Sequence, residues 1–185
     1  IMKQLDRCVN LASALRVEES QIPARLAANA ADDPEPGVRL RNLRMLLARH
    51  PTLPVTRQAC HALLDDPHPE LALEAAIALA DAGVDAGPAR LRRLADEKKT
   101  DLSLRARAIA ALADPAYEPR LLEWLESDAL GTQIAAAGAL GKSGTVAAIE
   151  PLRRDAAADR ALAGTARAAI RAIQERLPGA EPGQL

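Results

Sequence analysis

The chain has 185 residues, of which 49% are hydrophobic and 26% are charged, and its formal net charge is −1. A net charge this close to zero excludes a global attraction to nucleic acid or to an anionic membrane, so binding of either would need a local basic patch. Phe is absent and there is one Trp and one Tyr, so Leu, Ile, Val and Ala must build the core. Because Ala and Leu are strong helix formers and strand-forming aromatic residues are scarce, the composition predicts an all-α protein.

The elements predicted along the chain are helices separated by short turns rich in Asp, Pro and Gly. The first is a helix over residues 2–16, which we expect to cap the array that follows. The next helices come in pairs and form repeats at about 20–50, 54–83, 87–113, 117–142 and 145–177. Residues 178–185, which are rich in Pro and Gly, are predicted to be a flexible tail. We therefore expect a single repeat domain over residues 1–177.

The second helix of each repeat shows the clearest self-similarity. The turn at residues 33–38 recurs as another Asp-Pro-x-Pro turn at residues 66–71. With Val38 and its equivalents as position 0, a small residue recurs at position 4 in almost every repeat and a large one at position 8. The large residues are Leu46, Leu79, Leu112, Leu140 and Ile170. Positions 0, 4, 7 and 8 share one helix face, and one helix pair cannot bury such a face alone. The pattern therefore predicts an α-solenoid of about five antiparallel helix pairs.

Two segments of the sequence resemble HEAT repeats. The first is a turn and helix that contain Asp33-Pro34, Val38-Arg39, Asn42 and Met45-Leu46. The second is the run Ala-Ala-Gly-Ala-Leu-Gly-Lys-Ser-Gly at residues 136–144, which is similar to a helix ending of bacterial HEAT-like proteins of the PBS-lyase type. The resemblance spans about residues 20–177. It implies a right-handed superhelix whose second helices line a concave surface.

The resemblance also implies a ladder formed by Asp residues in the turns and Arg residues six positions later. Both residue types occur together only in the first repeat, as Asp33 and Arg39, so we expect the ladder there alone. A TPR-like stack and an irregular helical bundle are the alternative folds. The Asp-Pro turns and the Ala-Leu-Gly helix ending favour the HEAT-like one.

One short motif is similar to a phosphate-binding loop. Gly141-Lys142-Ser143 matches the end of that loop, but residue 136 is Ala where the motif requires Gly. The loop also follows a strand, whereas a predicted helix precedes this motif. We therefore interpret it as a helix C-terminus, where Gly accommodates the turn and Lys faces the negative end of the helix dipole.

Potential metal ligands are close together in sequence at Cys60, His61 and His68. Neighbouring residues of one helix point about 100° apart, so these side chains are not expected to converge on one ion. HEAT-like metal hydroxylases use His-Glu dipeptides, and the sequence contains none. We therefore predict no catalytic, cofactor-binding or metal-binding residue, and a protein that is not an enzyme.

The most suggestive functional feature is positive charge on the second helices. The residues concerned are Arg39, Arg41, Arg44, Arg105 and Arg107. Arg105 and Arg107 hold the repeat positions of Arg39 and Arg41, and the repeat between them has Ala and Glu there. On a concave surface, two basic repeats on either side of a repeat that carries Glu would bind an acidic or phosphorylated segment of a partner. The alternative is an ordinary solvated face with ion pairs along each helix.

The predicted function is a protein–protein interaction scaffold. A nucleic-acid-binding HEAT-like protein and a lyase-like chaperone of a prosthetic group are the alternatives, although the charge of −1 and the scarcity of aromatic residues disfavour the first. Cys8 and Cys60 form no disulfide framework, and no signal peptide or membrane span is predicted, so we expect a cytoplasmic protein. Trp124 lies among Leu residues and is expected to pack between helices rather than to anchor a partner. The sequence leaves the oligomeric state open.

Overall fold

A computed structural model describes the protein over residues 21–158 and 160–176, leaving aside the side chains of residues 158 and 160. Every regular element in this range is a helix, and no strand occurs in it. The predicted all-α fold is therefore confirmed. The predicted capping helix at residues 2–16 and the tail at residues 178–185 lie outside the described range.

The described helices follow the predicted alternation of first and second helices. In chain order they are residues 21–32 (α1), Pro36–Arg49 (α2), Pro54–Leu63 (α3), Pro69–Asp81 (α4), Ala86–Asp96 (α5), Leu102–Leu112 (α6), Glu118–Leu125 (α7), Leu130–Ser143 (α8), Ile149–Ala158 (α9) and Arg160–Arg176 (α10). Short 3-10 turns at Pro115–Tyr117 and Val146–Ala148 lead directly into α7 and α9. The odd-numbered helices are the first helices of the predicted repeats, and the even-numbered ones are the second helices.

A side-chain oxygen in the preceding turn organises the start of α2, α4, α6 and α8. Asp33, Asp66 and Asp101 each accept a hydrogen bond from the backbone N–H two residues further on, at 2.9, 2.8 and 2.8 Å. Ser127 accepts the equivalent bond at 3.2 Å. Such bonds compete with a continuing helix and so separate it from its predecessor. In the third repeat the residue aligned with Asp33 and Asp66 is Lys99, and Asp101, two residues later, accepts the hydrogen bond instead.

The chain forms two compact units, residues 1–79 and residues 80–185. In the first unit, side chains of α1, α2 and α3 form one apolar cluster, made of Leu26, Ala27, Leu46 and Ala59, with Val55 packed against it. In the second unit, α6 packs on α8 and α8 packs on α10, while α5, α7 and α9 each pack on the second helix of their own pair. Within each unit, helices thus pack on neighbours in sequence order, as successive helix pairs of a solenoid do.

The repeated large residues at position 8 do not all reach the same depth. Buried side chains at this position are Leu46, Leu79 and Leu140. Leu112 and Ile170 are only half-buried, and α10 instead buries Ile173, one helical turn further on. Position 5 is fully buried in four of the second helices, where it holds Leu43, Ala76, Ile109 and Ala137, but in α10 it holds the exposed Arg167. The sequence comparison missed this series because its residues differ in size.

Candidate interaction surface

The second helix of the first repeat, α2, presents the most basic exposed face among the described helices. Its sequence, PGVRLRNLRMLLAR, contains four Arg and no acidic residue. Leu40, Leu43 and Leu46 form the buried side of the helix, which leaves the remaining faces to the charged residues. The exposed residues are Gly37, Arg41, Arg44, Met45, Ala48 and Arg49.

Arg39 on α2 is used inside the fold. Its Nη1 donates to the backbone oxygen of Asp33 and its Nη2 donates to Oδ1 of Asp66, both at 3.0 Å. The side chains of Arg39 and Asp66 are only 11% and 8% exposed. The guanidinium therefore joins its own turn to the equivalent turn of the next repeat. Asp66 thus takes part in the contact between the repeats even though its own repeat has Ala72 at the position equivalent to Arg39.

Arg44 bridges α2 and α4. Its Nη2 lies 2.8 Å from carboxylate oxygens of both Glu70 and Glu74, and half of its side chain is exposed. The hydrogen bond to Glu74, with a further one to Glu70, raises the pKa of Arg44 above its ordinary value, despite partial burial. Two carboxylates therefore surround this predicted binding residue. A partner carboxylate would have to compete with both of them.

In the second unit, Arg105 is also committed to the fold. Its Nε donates to the backbone oxygen of Ala95 at 2.9 Å, and its guanidinium carbon lies 4.9 Å from the ring centre of Trp124. Desolvation by burial, together with the nearby positive charge of Arg120, lowers the pKa of Arg105. Trp124 is 7% exposed, so it packs within the unit as predicted and is not a surface anchor.

Arg120 makes a second link to the same carbonyl group at the end of α5. Its Nη1 lies 3.2 Å from the backbone oxygen of Ala95 and 2.8 Å from Oδ1 of Asp96. Its guanidinium carbon also lies 5.4 Å from the ring centre of Tyr117. Burial is the main reason that the pKa of Tyr117 is raised. Sequence analysis did not single out Arg120, because its partners lie 24 and 25 residues away.

Arg41 and Arg49 differ from these arginines because both are exposed on α2. Neither forms an ion pair with any residue in the described range. Met45 lies between them and is 42% exposed, although its repeat position predicted an apolar packing face. Arg107, the remaining predicted residue, is half-buried on α6 in the other unit. On α2, Arg41 and Arg49 therefore carry charges that are exposed and unpaired within the described range.

The motif Gly141-Lys142-Ser143 forms the last residues of α8. A Cβ atom on Gly141 would lie 3.0 Å from the Cα atom of Ala169, so this Gly allows α8 and α10 to approach closely. The Ser143 hydroxyl is buried and donates to the backbone oxygen of Ala139 at 3.1 Å. These residues therefore have packing roles, and no loop that could surround a phosphate is formed here.

The described residues contain no cluster of metal-binding side chains. No three His, Cys, Asp or Glu side chains in residues 21–158 and 160–176 come together in a way that could hold a metal ion. Cys60 is buried, and the loss of solvation raises the pKa of its thiol to about 11. The thiol therefore stays protonated and weakly nucleophilic at neutral pH.

Comparison with known proteins assigns no relationship, since no family model and no curated protein matches the sequence. Across the described part of the chain, the helices are too short or too polar for any of them to cross a membrane.

Proposed function

We propose that the chain is a HEAT-like scaffold without catalytic activity, which binds another protein through the exposed faces of its second helices. The observation that carries this proposal is the exposed face of α2. Arg41 and Arg49 flank an exposed Met45 there, although the fold uses neighbouring arginines for its own contacts. Exposed Arg and Met side chains are typical of protein interfaces.

The polar contacts between repeats support the HEAT-like part of the proposal. Arg39 reaches the turn that lies 27 residues further on, and Thr145 binds the Glu118 carboxylate 27 residues earlier through both its backbone N–H and its hydroxyl. Both separations are close to one repeat length. In the described residues, these contacts use charged side chains to join successive hairpins, as a scaffold built from stacked helix pairs requires.

The experiment is affinity capture from cells that make this protein naturally, with the unmodified chain and two charge-reversal variants. We expect a protein partner to be retained by the unmodified chain and lost at least about tenfold with Arg41→Glu, which reverses an exposed charge. Arg57→Glu, an equally exposed substitution on α3, is the matched control and should retain the partner. Circular dichroism should show unchanged helix content in both variants.

Two results would refute the proposal. One is that Arg41→Glu and Arg57→Glu retain every captured protein equally. The other is that the chain binds duplex DNA or RNA with an affinity that falls steeply with salt, which would identify a nucleic-acid-binding protein instead.

A further inference from the structure

We propose that the partner segment recognised by the face of α2 is an acidic helix with an apolar residue between two carboxylates. This inference rests on the proposed function and specifies the partner of the same face. We define the α2 stripe as Arg41, Met45 and Arg49. These residues follow one another at intervals of four, and successive members are therefore only about 40° apart around the helix. The stripe extends about 12 Å along the helix axis.

The charge of the stripe selects the partner. Arg41 and Arg49 carry full positive charges that no acidic side chain in the described range neutralises by an ion pair. Arg44 lies on the side of α2 that faces Glu70 and Glu74 and binds both carboxylates. These two acidic groups of α4 are therefore bound by Arg44. A partner with carboxylates at both ends of the stripe would form two pairs without losing an existing one.

Met45 indicates that the partner has an apolar residue between its two carboxylates. The corresponding residue of α4, α6, α8 and α10 is Ala, so a long side chain at this position is peculiar to α2. Of the other exposed large apolar residues, Leu53, Leu130 and Val146 lie at the N-cap or first residue of a helix or 3-10 turn, and Ile22 is the second described residue of α1. Met45, by contrast, lies in a helix interior. A flexible thioether adapts well to an apolar side chain of a partner. A helical partner repeats the same four-residue spacing, so its carboxylate, apolar and carboxylate residues can face the stripe in register.

Methyl-labelled methionine offers a direct test, because the chain contains two Met residues, Met2 and Met45. In a Met2→Leu background a single ¹³C-methyl signal reports on the stripe. The probe is an alanine-based peptide of about 16 residues, long enough to populate a helix, with Glu, Leu and Glu at successive intervals of four. A second peptide with Lys in place of both Glu has the same shape and the opposite charge.

We expect the Glu peptide to shift the Met45 methyl signal in a saturable manner and to bind at least about tenfold more tightly than the Lys peptide. Replacing both stripe arginines, as Arg41→Glu with Arg49→Glu, should abolish the shift. The control pair Arg25→Glu with Arg57→Glu, which reverses two exposed charges on α1 and α3 of the same unit, should leave it intact.

The inference would be overturned if the Glu peptide left the methyl signal unmoved, or if both peptides bound equally. It would also be overturned if vesicles of phosphatidylserine broadened the signal while the peptide had no effect, since the stripe would then favour a membrane surface. If Arg41→Glu releases a captured partner but the Glu peptide fails, the scaffold proposal stands and this inference fails. If the Glu peptide binds but Arg41→Glu releases no captured protein, the preference of the stripe for an acidic helix stands, but its use in holding a protein partner fails together with the scaffold proposal.

Discussion

The two units of the protein join successive helix pairs by different polar contacts. In residues 1–79, guanidinium groups bind carboxylates: Arg39 binds Asp66, and Arg44 binds Glu70 and Glu74. In residues 80–185, guanidinium groups bind backbone carbonyls at helix C-termini, and Arg120 also binds the carboxylate of Asp96. There Arg120 reaches the end of α5, and Arg176 of α10 donates to the oxygens of Gly141 and Lys142 at 2.8 and 2.6 Å and to that of Gly144.

The difference shows how the sequence of successive helix pairs can vary while polar contacts between the pairs are kept. A guanidinium–carboxylate pair needs two particular residues, whereas every helix C-terminus has carbonyl groups without intrahelical partners. Arg105 illustrates the point, because it holds the repeat position of Arg39, but the turn that follows its helix pair has Ser127 where the carboxylate partner of Arg39, Asp66, would stand. Its guanidinium binds the carbonyl of Ala95 and stacks on Trp124 instead. Links to the backbone therefore tolerate changes that would break a buried ion pair.

The largest expected effect is at Asp66. Asp66→Ala leaves the Arg39 guanidinium, which is 11% exposed, without its carboxylate, and it also removes the acceptor of the His68 N–H. Breaking a buried pair from one side is strongly destabilising, so we expect a loss of about 3 kcal/mol in the free energy of unfolding, measured by urea titration. Asp32→Ala, at an exposed carboxylate, is the control and should change stability by less than about 0.5 kcal/mol. A loss below about 1 kcal/mol for Asp66→Ala would show that the first unit does not depend on this pair.

The second effect tests the backbone link of the other unit. A Cβ atom on Gly144 would lie 2.6 Å from the backbone oxygen of Leu140, so Gly144→Ala must distort the helix end to which Arg176 binds. We expect a loss of about 2 kcal/mol in the unfolding free energy. Gly138→Ala in the same helix has room, with Thr165 as the nearest contact at 4.0 Å, and should gain about 0.5 to 1 kcal/mol through helix propensity. Equal effects of the two substitutions would contradict this packing.

The third effect compares how the second helices begin. Asp101 caps α6 through the N–H and hydroxyl of Ser103, whereas no side chain caps α2 at Glu35. Asp101→Ala should cost about 1 kcal/mol at neutral pH, and Glu35→Ala should cost almost nothing. The hydroxyl and N–H of Ser103 lower the pKa of Asp101 below 3.8. The cap therefore contributes fully above the unfolded-state value and is lost as the pH falls through the lower folded-state value. Denaturant titrations of both variants from pH 7 to pH 2 would check this, and a pH-independent difference for Asp101→Ala would contradict it.

The smallest expected effect is at Arg44. Half of this side chain is exposed, so its pairs with Glu70 and Glu74 are screened by water and ions. Arg44→Ala should cost about 0.5 kcal/mol at low salt, and the difference should vanish near 1 M salt. Arg49→Ala, at an exposed residue of the same helix without an ion pair in the described range, should be neutral throughout. A cost for Arg44→Ala that persists at high salt would mean that the bridge is shielded from solvent.

Elements that depend on neighbouring residues could be predicted well from the sequence. The Asp-Pro turns at residues 33 and 66 act through hydrogen bonds to an N–H only two residues away, so their effect on chain direction is visible in the sequence. The all-α class follows from composition and helical periodicity in the same way. The proposed binding surface was predicted less well, because Met45 matched the apolar face of its repeat, whereas in the structure its side chain is 42% exposed.

By itself, the sequence determined that the chain folds into short helices, where their turns lie and that α2 carries positive charge without acidic residues. These properties are set by backbone preferences and by contacts within one or two helical turns. Only the tertiary structure decided which arginines are consumed by the fold, because the partners of Arg39, Arg44 and Arg120 lie 24 to 30 residues away. Packing of one helix pair on the next brings those partners together. The same packing leaves Arg41, Met45 and Arg49 exposed, because the side of α2 that is buried in the fold is formed by Leu40, Leu43 and Leu46.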